Sequence, residues 1–358
     1  MKIRNQSNSH GIALIIVMIA IAVLSIMAAG FALSMKVETK LAMNADNEED
    51  LLWLGRSGVE YARWILAQEG AAPGQQFDAL NQKWAGGAGS IAESNSVLAG
   101  ISLDNYPIGD GSVSVKIVDL ERKMNINTAN SLTLQQALIT MGVDADDLSV
   151  ISDSIQDWID TDDSPRVAGA ESDYYEGLVP PYYAKNAPID DLSELLLVKN
   201  ITPEIYWGGS ATNHAPGTLQ LKQKLGLGTA PGEVPSYPFG LEALFTPISS
   251  GQVNINTADA NVLQMILGGD ANLAALVIKM RAGPDGVEGT DDDTPYQNIN
   301  QLQTVGINPA QLGNLCGVRS RTFEVHVTAQ IGDYKRDYTA ILYRNSGTDI
   351  QVLSFYWK

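Results

Sequence analysis

IALIIVMIAIAVLSIMAAGFALSM, residues 12–35, runs for 24 positions without a charged side chain. As an α-helix it extends about 36 Å at about 1.5 Å per residue, enough to cross the hydrocarbon core of a bilayer. Residues 1–11 before it are polar and carry Lys2 and Arg4. Basic residues stay on the cytoplasmic side, so the remainder of the chain is expected across the inner membrane on a single span.

Three readings compete for this segment. A cleaved secretory signal calls for a shorter apolar run followed by small residues. A plain anchor fits the length equally well. In the third, the cut falls before the apolar run and the helix stays attached. Gly11-Ile12-Ala13-Leu14 resembles such a prepilin processing site, with a short basic leader, a glycine and an unbroken apolar helix. The resemblance makes residues 1–11 the leader, Gly11 the last residue removed and Ile12 the N-methylated mature terminus. Pilins carry a glutamate five residues after the cut, and here that residue is Ile16. A carboxylate at membrane depth is costly and persists only with a purpose. Its absence points away from a major filament subunit. It resembles the K-type minor pseudopilins of bacterial type II secretion, which lack it.

The helix continues past the apolar run. Leu51, Leu54, Gly55, Gly58, Val59, Ala62, Ile65 and Leu66 recur at helical spacing, with Glu48, Arg56, Glu60 and Arg63 between them. The phrase GRSGVEYARWIL resembles the second half of pilin helices, where small residues admit a β-sheet, and the helix is expected to end near Gly70–Gly74. Strand alternation follows at Val113, Val115 and Ile117, and resumes only at Phe323, Val325 and Val327, then at 338–343 and 352–357. Some two hundred residues of different character separate the halves, which predicts an insertion.

Inside it, MNINTANSLTLQQAL from Met124 and VNINTADANVLQMIL from Val253 share the core NINTA. Asn130 and Asp259 are expected to be N-caps of the helices that follow. This repeat resembles the helix-hairpin-helix modules of ComEA-like competence receptors, whose glycine-rich turn holds DNA phosphate. Here the turns read MGVDADDL and LGGDANLA, placing Asp144, Asp146, Asp147 and Asp270 where a phosphate would sit. The chain as a whole has 23 basic and 41 acidic residues, a formal net charge of −18, which also disfavours nucleic acid. A membrane-anchored DNA receptor is the alternative function; no nucleic-acid partner is expected.

Two acidic loops are candidate cation sites. DWIDTDDSPRVAGAESDYY gathers Asp157, Asp160, Asp162, Asp163, Glu171 and Asp173, with Trp158, Ile159, Tyr174 and Tyr175 expected to root its ends in a core. A solvated acidic loop is one reading; hard oxygen ligands for Ca²⁺ are the other. GPDGVEGTDDDTPY offers Asp285, Asp291, Asp293 and a carbonyl near Val287, and is similar to the calcium loop of major pseudopilins. Cys316 is the single cysteine, so no intrachain disulfide forms, and calcium would tie loops down instead. His10, His214 and His326 form no cluster. No P-loop, zinc spacing or nucleophile elbow occurs, and no enzyme is expected.

In order, these features resemble K-type minor pseudopilins over nearly the whole chain. The resemblance implies an α+β, type IV pilin-like fold: a long N-terminal helix and an antiparallel sheet, with a large helical insertion of two helix-hairpin-helix-like (SAM-like) modules. The expected divisions are leader 1–11, transmembrane helix 12–35, its continuation 36–70, first β part 71–122, insertion 123–320 and closing strands 321–358. The implied partners are minor pseudopilins I and J, with H beside them, prepilin peptidase and the inner-membrane secretion platform. The implied role is to cap or initiate the pseudopilus tip for export of folded proteins.

Overall fold

The computed structural model describes residues 10–72, 76–89, 97–210 and 237–357; the leader before residue 10 and His214 lie outside them. Helix α1 runs from His10 to Ala71. Its first half exposes Leu14, Ile15, Ile16, Ile19, Leu24 and Phe31, and it contains a stretch long and apolar enough to cross a membrane. Only a conformation that satisfies every backbone N–H and C=O internally suits such a run in lipid, and a helix does so.

The second half of α1 lies on a five-stranded antiparallel sheet: β1 (Tyr106–Ile108), β2 (Gly111–Asp119), β3 (Thr322–Ile331), β4 (Tyr334–Arg344) and β5 (Ile350–Trp357), neighbours in that order. The inner face alternates as the sequence predicts, with Val113, Val115, Ile117, Phe323, Val325 and Val327 buried against Leu54, Ala62, Ile65 and Leu66. Two helical glycines bring the layers together. A Cβ at Gly55 would stand 2.5 Å from the Tyr338 ring, and one at Gly58 2.4 Å from a Val327 methyl, closer than carbon atoms approach. In register, Asp119 at the end of β2 faces Phe323 near the start of β3.

Between β2 and β3 the chain builds a helical region with its own core, centred on Leu138, Ile151, Phe245 and Val262. Two units follow one plan. In the first, Met124–Asn125 pairs in parallel with Phe245–Thr246, and helices α2 (Ser131–Met141) and α3 (Ala145–Ile159) follow. In the second, Val253–Asn254 pairs in parallel with Cys316–Gly317, and α4 (Ala260–Ile266) and α5 (Ala271–Arg281) follow. Each then makes a 3₁₀ segment with a reciprocal cap, Asp191 with Glu194 and Asn298 with Gln301, and a short helix opening on Pro203 or Pro309.

The NINTA repeat explains itself chemically. Asn125 and Asn254 accept from the backbone N–H of Asn127 and Asn256, at 2.9 and 3.0 Å, and set the local turn. The amide of Asn127 then donates to Ile189 O at 2.9 Å and accepts from Ile189 N at 2.8 Å. Asn256 does the same to Tyr296, at 2.9 and 2.8 Å. Each side-chain amide thus mimics a strand residue and closes its unit over 62 or 40 residues of chain. Asn130 caps α2 through Thr133 N as expected. Asp259 sits at the N-cap of α4, but its carboxylate pairs with Arg122 and makes no cap bond. The opposite charge wins over the local N–H.

Candidate functional site

The two acidic loops occupy equivalent places. Each leaves the second helix of its unit, α3 or α5. The second ends at Tyr296, which Asn256 grips, whereas the first runs into a short helix, Ser172–Glu176, before the chain reaches Ile189, which Asn127 grips.

In the first loop, Asp157 is fully buried on the last turn of α3. Arg166 holds it, with Nη1 2.7 Å from Oδ1 and the backbone N–H of Arg166 at 3.2 Å from Oδ2. The same guanidinium reaches Asp160. Gly169 lies directly over the carboxylate, where an added Cβ would be 1.8 Å from Asp157 Oδ2. The ring of Trp158 packs edge-on to Tyr175 at 5.3 Å, and Tyr175 stacks on Tyr182, so both ends of the loop are rooted in the core. Tyr174 differs from the expectation: it is exposed, with Lys199 over its ring at 5.1 Å. Lys199 also donates to Gly169 O at 3.1 Å.

This frame brings one oxygen each from Asp160, Asp162 and Glu171 within 4.8 Å of one another. Both Glu171 carboxylate oxygens and Oδ1 of Asp160 are buried without a hydrogen-bond partner, and Glu171 is only 3% exposed. Burial, and then the charges of Asp157, Asp160, Asp163 and Asp162, push Glu171 up to about 7. Buried carboxylates left unpaired are costly. Ca²⁺ takes six to eight hard oxygens at about 2.3–2.6 Å, so the donor set fits a hard cation. Asp163 instead accepts from Ser172 N at 3.4 Å and Asn186 at 3.5 Å, and Asp173 is exposed outside the group.

The second loop satisfies its carboxylates internally. Asp285 accepts from Val287 N at 2.7 Å, Asp293 from Gly289 N at 2.8 Å, and Thr290 donates to Asp292 at 2.7 Å. Asp291 and Val287 are exposed. Burial raises Asp293, whereas the Thr290 hydrogen bond lowers Asp292. Gly283 turns at φ +68, where a Cβ would meet Asp292 O at 2.2 Å. Arg281, buried at the end of α5, pairs with Glu288 and donates to Ala258 O at 2.8 Å, tying loop to repeat.

Reading the loops as acids alone misses Arg166, Gly169 and the clamping asparagines. Arg166 carries a legible signal, since it is the only basic residue between Asp157 and Tyr175.

A family model described as "Type II secretion system (T2SS), protein K" matches residues 115–207, from β2 through the first helical unit. Type II secretion system protein K of Pseudomonas aeruginosa is 23% identical over 360 residues, spanning 98% of this chain and 93% of the relative. The protein of that name from Pectobacterium carotovorum is 22% identical over 270 residues, 69% of this chain and 70% of its own. In structure, the chain is similar to one from the crystal structure of the GspK-GspI-GspJ complex of the enterotoxigenic Escherichia coli type 2 secretion system. The TM-score is 0.60 at 18% identity, covering 88% of this chain and 99% of that one, a likeness of fold.

Proposed function

We propose that this chain, which belongs to the type II secretion system protein K family, works as the minor pseudopilin that caps or initiates the pseudopilus tip with partners of the I and J type. The observation that carries this reading is the anchored α1-and-sheet body continued into a helical region larger than itself. Such a bulk leaves no room for a further subunit stacked beyond it. Prepilin peptidase then cuts after Gly11, Ile12 becomes the methylated terminus, and the sheet and helical region stand in the periplasm on an inner-membrane anchor. The role is mechanical and uses no catalytic chemistry. Mass spectrometry of the protein from cells with active prepilin peptidase is expected to find methylated Ile12; an intact Met1 terminus would remove the pilin reading.

The two helical units are degenerate helix-hairpin-helix-like modules used for packing. At the turn before α5 the carboxylate of Asp270 already accepts from the N–H groups of Asn272 and Leu273, at 2.8 and 3.1 Å. In this second unit the donors that would meet a phosphate are taken by the protein itself. The DNA-receptor alternative has no support from the relatives, and this geometry opposes it.

Partner contact falls on α1 away from the sheet. There Trp53 is 56% exposed with the Arg56 guanidinium 4.9 Å over its ring, and Trp64 lies further along the helix. Aromatic and arginine anchors carry most of the energy of an interface. Trp53→Ala is expected to weaken association of the full-length protein with I- and J-type partners by about tenfold or more, read by titration in detergent. Unchanged affinity would move the interface elsewhere.

Structural calcium completes the first acidic loop, held by Asp160, Asp162 and Glu171 with Arg166 positioning Asp157 and Asp160. Ion binding to the folded state alone stabilises it by mass action. A chelator is expected to lower the melting temperature of the full-length protein by several degrees, and Glu171→Gln to abolish that response. Melting temperatures equal with ion and with chelator would sink the site. The second loop, equivalent in position, is the other proposed site, through Asp285, Asp291, Asp293 and the Val287 carbonyl.

A further inference from the structure

The helical region meets the sheet body at a buried polar joint. Five distant segments converge there: the loop after α1 at Asp78, the end of β2 at Asp119 and Glu121, the second NINTA segment at Asn254 and Thr257, the return into β3 at Ser320 and Thr322, and the end of β4 at Arg344. Asp78, Asp119, Glu121 and Arg344 are each 4% exposed or less. Three carboxyl groups and one guanidinium are thus interior, and only Asp78 pairs with the guanidinium.

Their partners are unequal. Asp78 pairs with Arg344 and accepts from Ser320 N at 2.8 Å. Glu121 accepts from Thr322 N at 2.9 Å, Thr322 Oγ1 at 3.2 Å and Ser250 N at 3.0 Å. Fixed N–H donors satisfy both side chains, and Asp78 has the guanidinium as well. Asp119 accepts from Glu121 N at 2.8 Å through Oδ1, and Asn254 Nδ2 stands 3.3 Å from Oδ2. The remaining partners of Oδ2 are hydroxyls, Ser320 Oγ at 2.6 Å and Thr257 Oγ1. A hydroxyl donates or accepts as needed, so these two serve a protonated Oδ2 as well as an ionised one. Thr257 has a second acceptor in Asn254 O. Of the cations that follow Asp119 in the chain, Arg122 pairs with Asp259 and Lys123 donates to Glu242 O.

We propose that Asp119 keeps its proton in the folded protein and is the latch of this joint, closed while neutral and loosened when Asp119 ionises. In the closed state the Asp119 O–H bonds a hydroxyl of Ser320 or Thr257 and links the sheet to the second helical unit. Ionisation places an extra negative charge beside Glu121 and Asp78, and the joint opens to let water reach it. Burial first, and the Glu121 and Asp78 charges with it, raise Asp119 well above its usual value.

The sign follows by linkage. The unfolded chain releases this proton near the ordinary aspartate value of 3.8 and the folded chain only at a higher pH. The contribution of Asp119 to stability is therefore fully present below the unfolded value, falls as pH rises from there, and levels off above the folded value. Asp119→Asn imitates the neutral acid at all pH values, with an N–H₂ in place of the O–H. The test compares full-length wild-type protein and Asp119→Asn in detergent from acidic to mildly alkaline pH. The melting temperature of wild type relative to the variant is expected to fall with rising pH by several degrees. A difference independent of pH overturns the latch. If the variant does not fold, infrared difference spectra of wild type serve instead: a protonated-carboxyl band should persist in the folded protein to a higher pH than in the unfolded chain and vanish on further alkalinisation. A band lost at the same pH in both states overturns the proposal equally.

Discussion

Gly58→Leu in the full-length protein is expected to abolish the cooperative unfolding of the sheet while leaving α1 helical. The Cβ alone would already be 2.4 Å from Val327 Cγ1, and the contact is with a core methyl on the central strand β3, not with the end of a flexible side chain. Val327 is 1% exposed, so neither layer has room to retreat. Overpacking costs about 1–3 kcal/mol and more when backbone must shift. Here three further carbons follow the first, and the loss should reach at least about 3 kcal/mol, a large part of a domain's total of about 5–15. Near-ultraviolet circular dichroism during denaturation measures it. A variant melting like wild type would mean that helix and sheet do not meet at this glycine.

Arg344→Met is the second large effect. Arg344 and the Asp78 it pairs with are both 4% exposed, and the guanidinium also donates to Ser320 O and lies 5.0 Å over the Phe323 ring. Methionine keeps much of the volume and removes the charge. Breaking one side of a buried pair leaves its partner uncompensated and costs about 3–5 kcal/mol. The double variant with Asp78→Asn should recover part of that loss, since the stranded charge goes with it. Chemical denaturation of the single and double variants is the measurement, and additive losses would show that the two side chains do not act as a pair.

The body was the more legible half. An unbroken apolar run, glycines at helical spacing and clean alternation in SVSVKIVD each report a local period, and the periods survive in the structure because one face of each element is buried. The NINTA repeat was also visible, but not its purpose. A side-chain amide that grips Ile189 from position 127 is a long-range contact, and no local pattern announces it. The same holds for the joint. Asp119 reads as an ordinary charged residue ending a strand, because the carboxyls that face it are 2 and 41 positions away in the chain. In the acidic loop, residue type suggested six equivalent ligands, whereas Arg166 and the turn geometry sort them. Asp157 becomes a structural anchor, Asp160, Asp162 and Glu171 converge, and Asp173 turns outward. Asp259 shows the competition directly, since an arginine from before the first unit draws its carboxylate off the helix end.

Ignoring everything between Asp119 and Phe323, the sheet is a plain up-and-down meander, with spatial order equal to chain order. Those two residues sit directly opposite each other, one strand spacing or about 4.8 Å apart. The whole helical region is therefore mounted where a tight β-turn would otherwise be. Its removal in favour of a short reverse turn leaves no strand unpaired and no crossover to rebuild. Load applied to that region enters the body through two adjacent strands side by side and through the contacts of its base with Asp78 and Arg344.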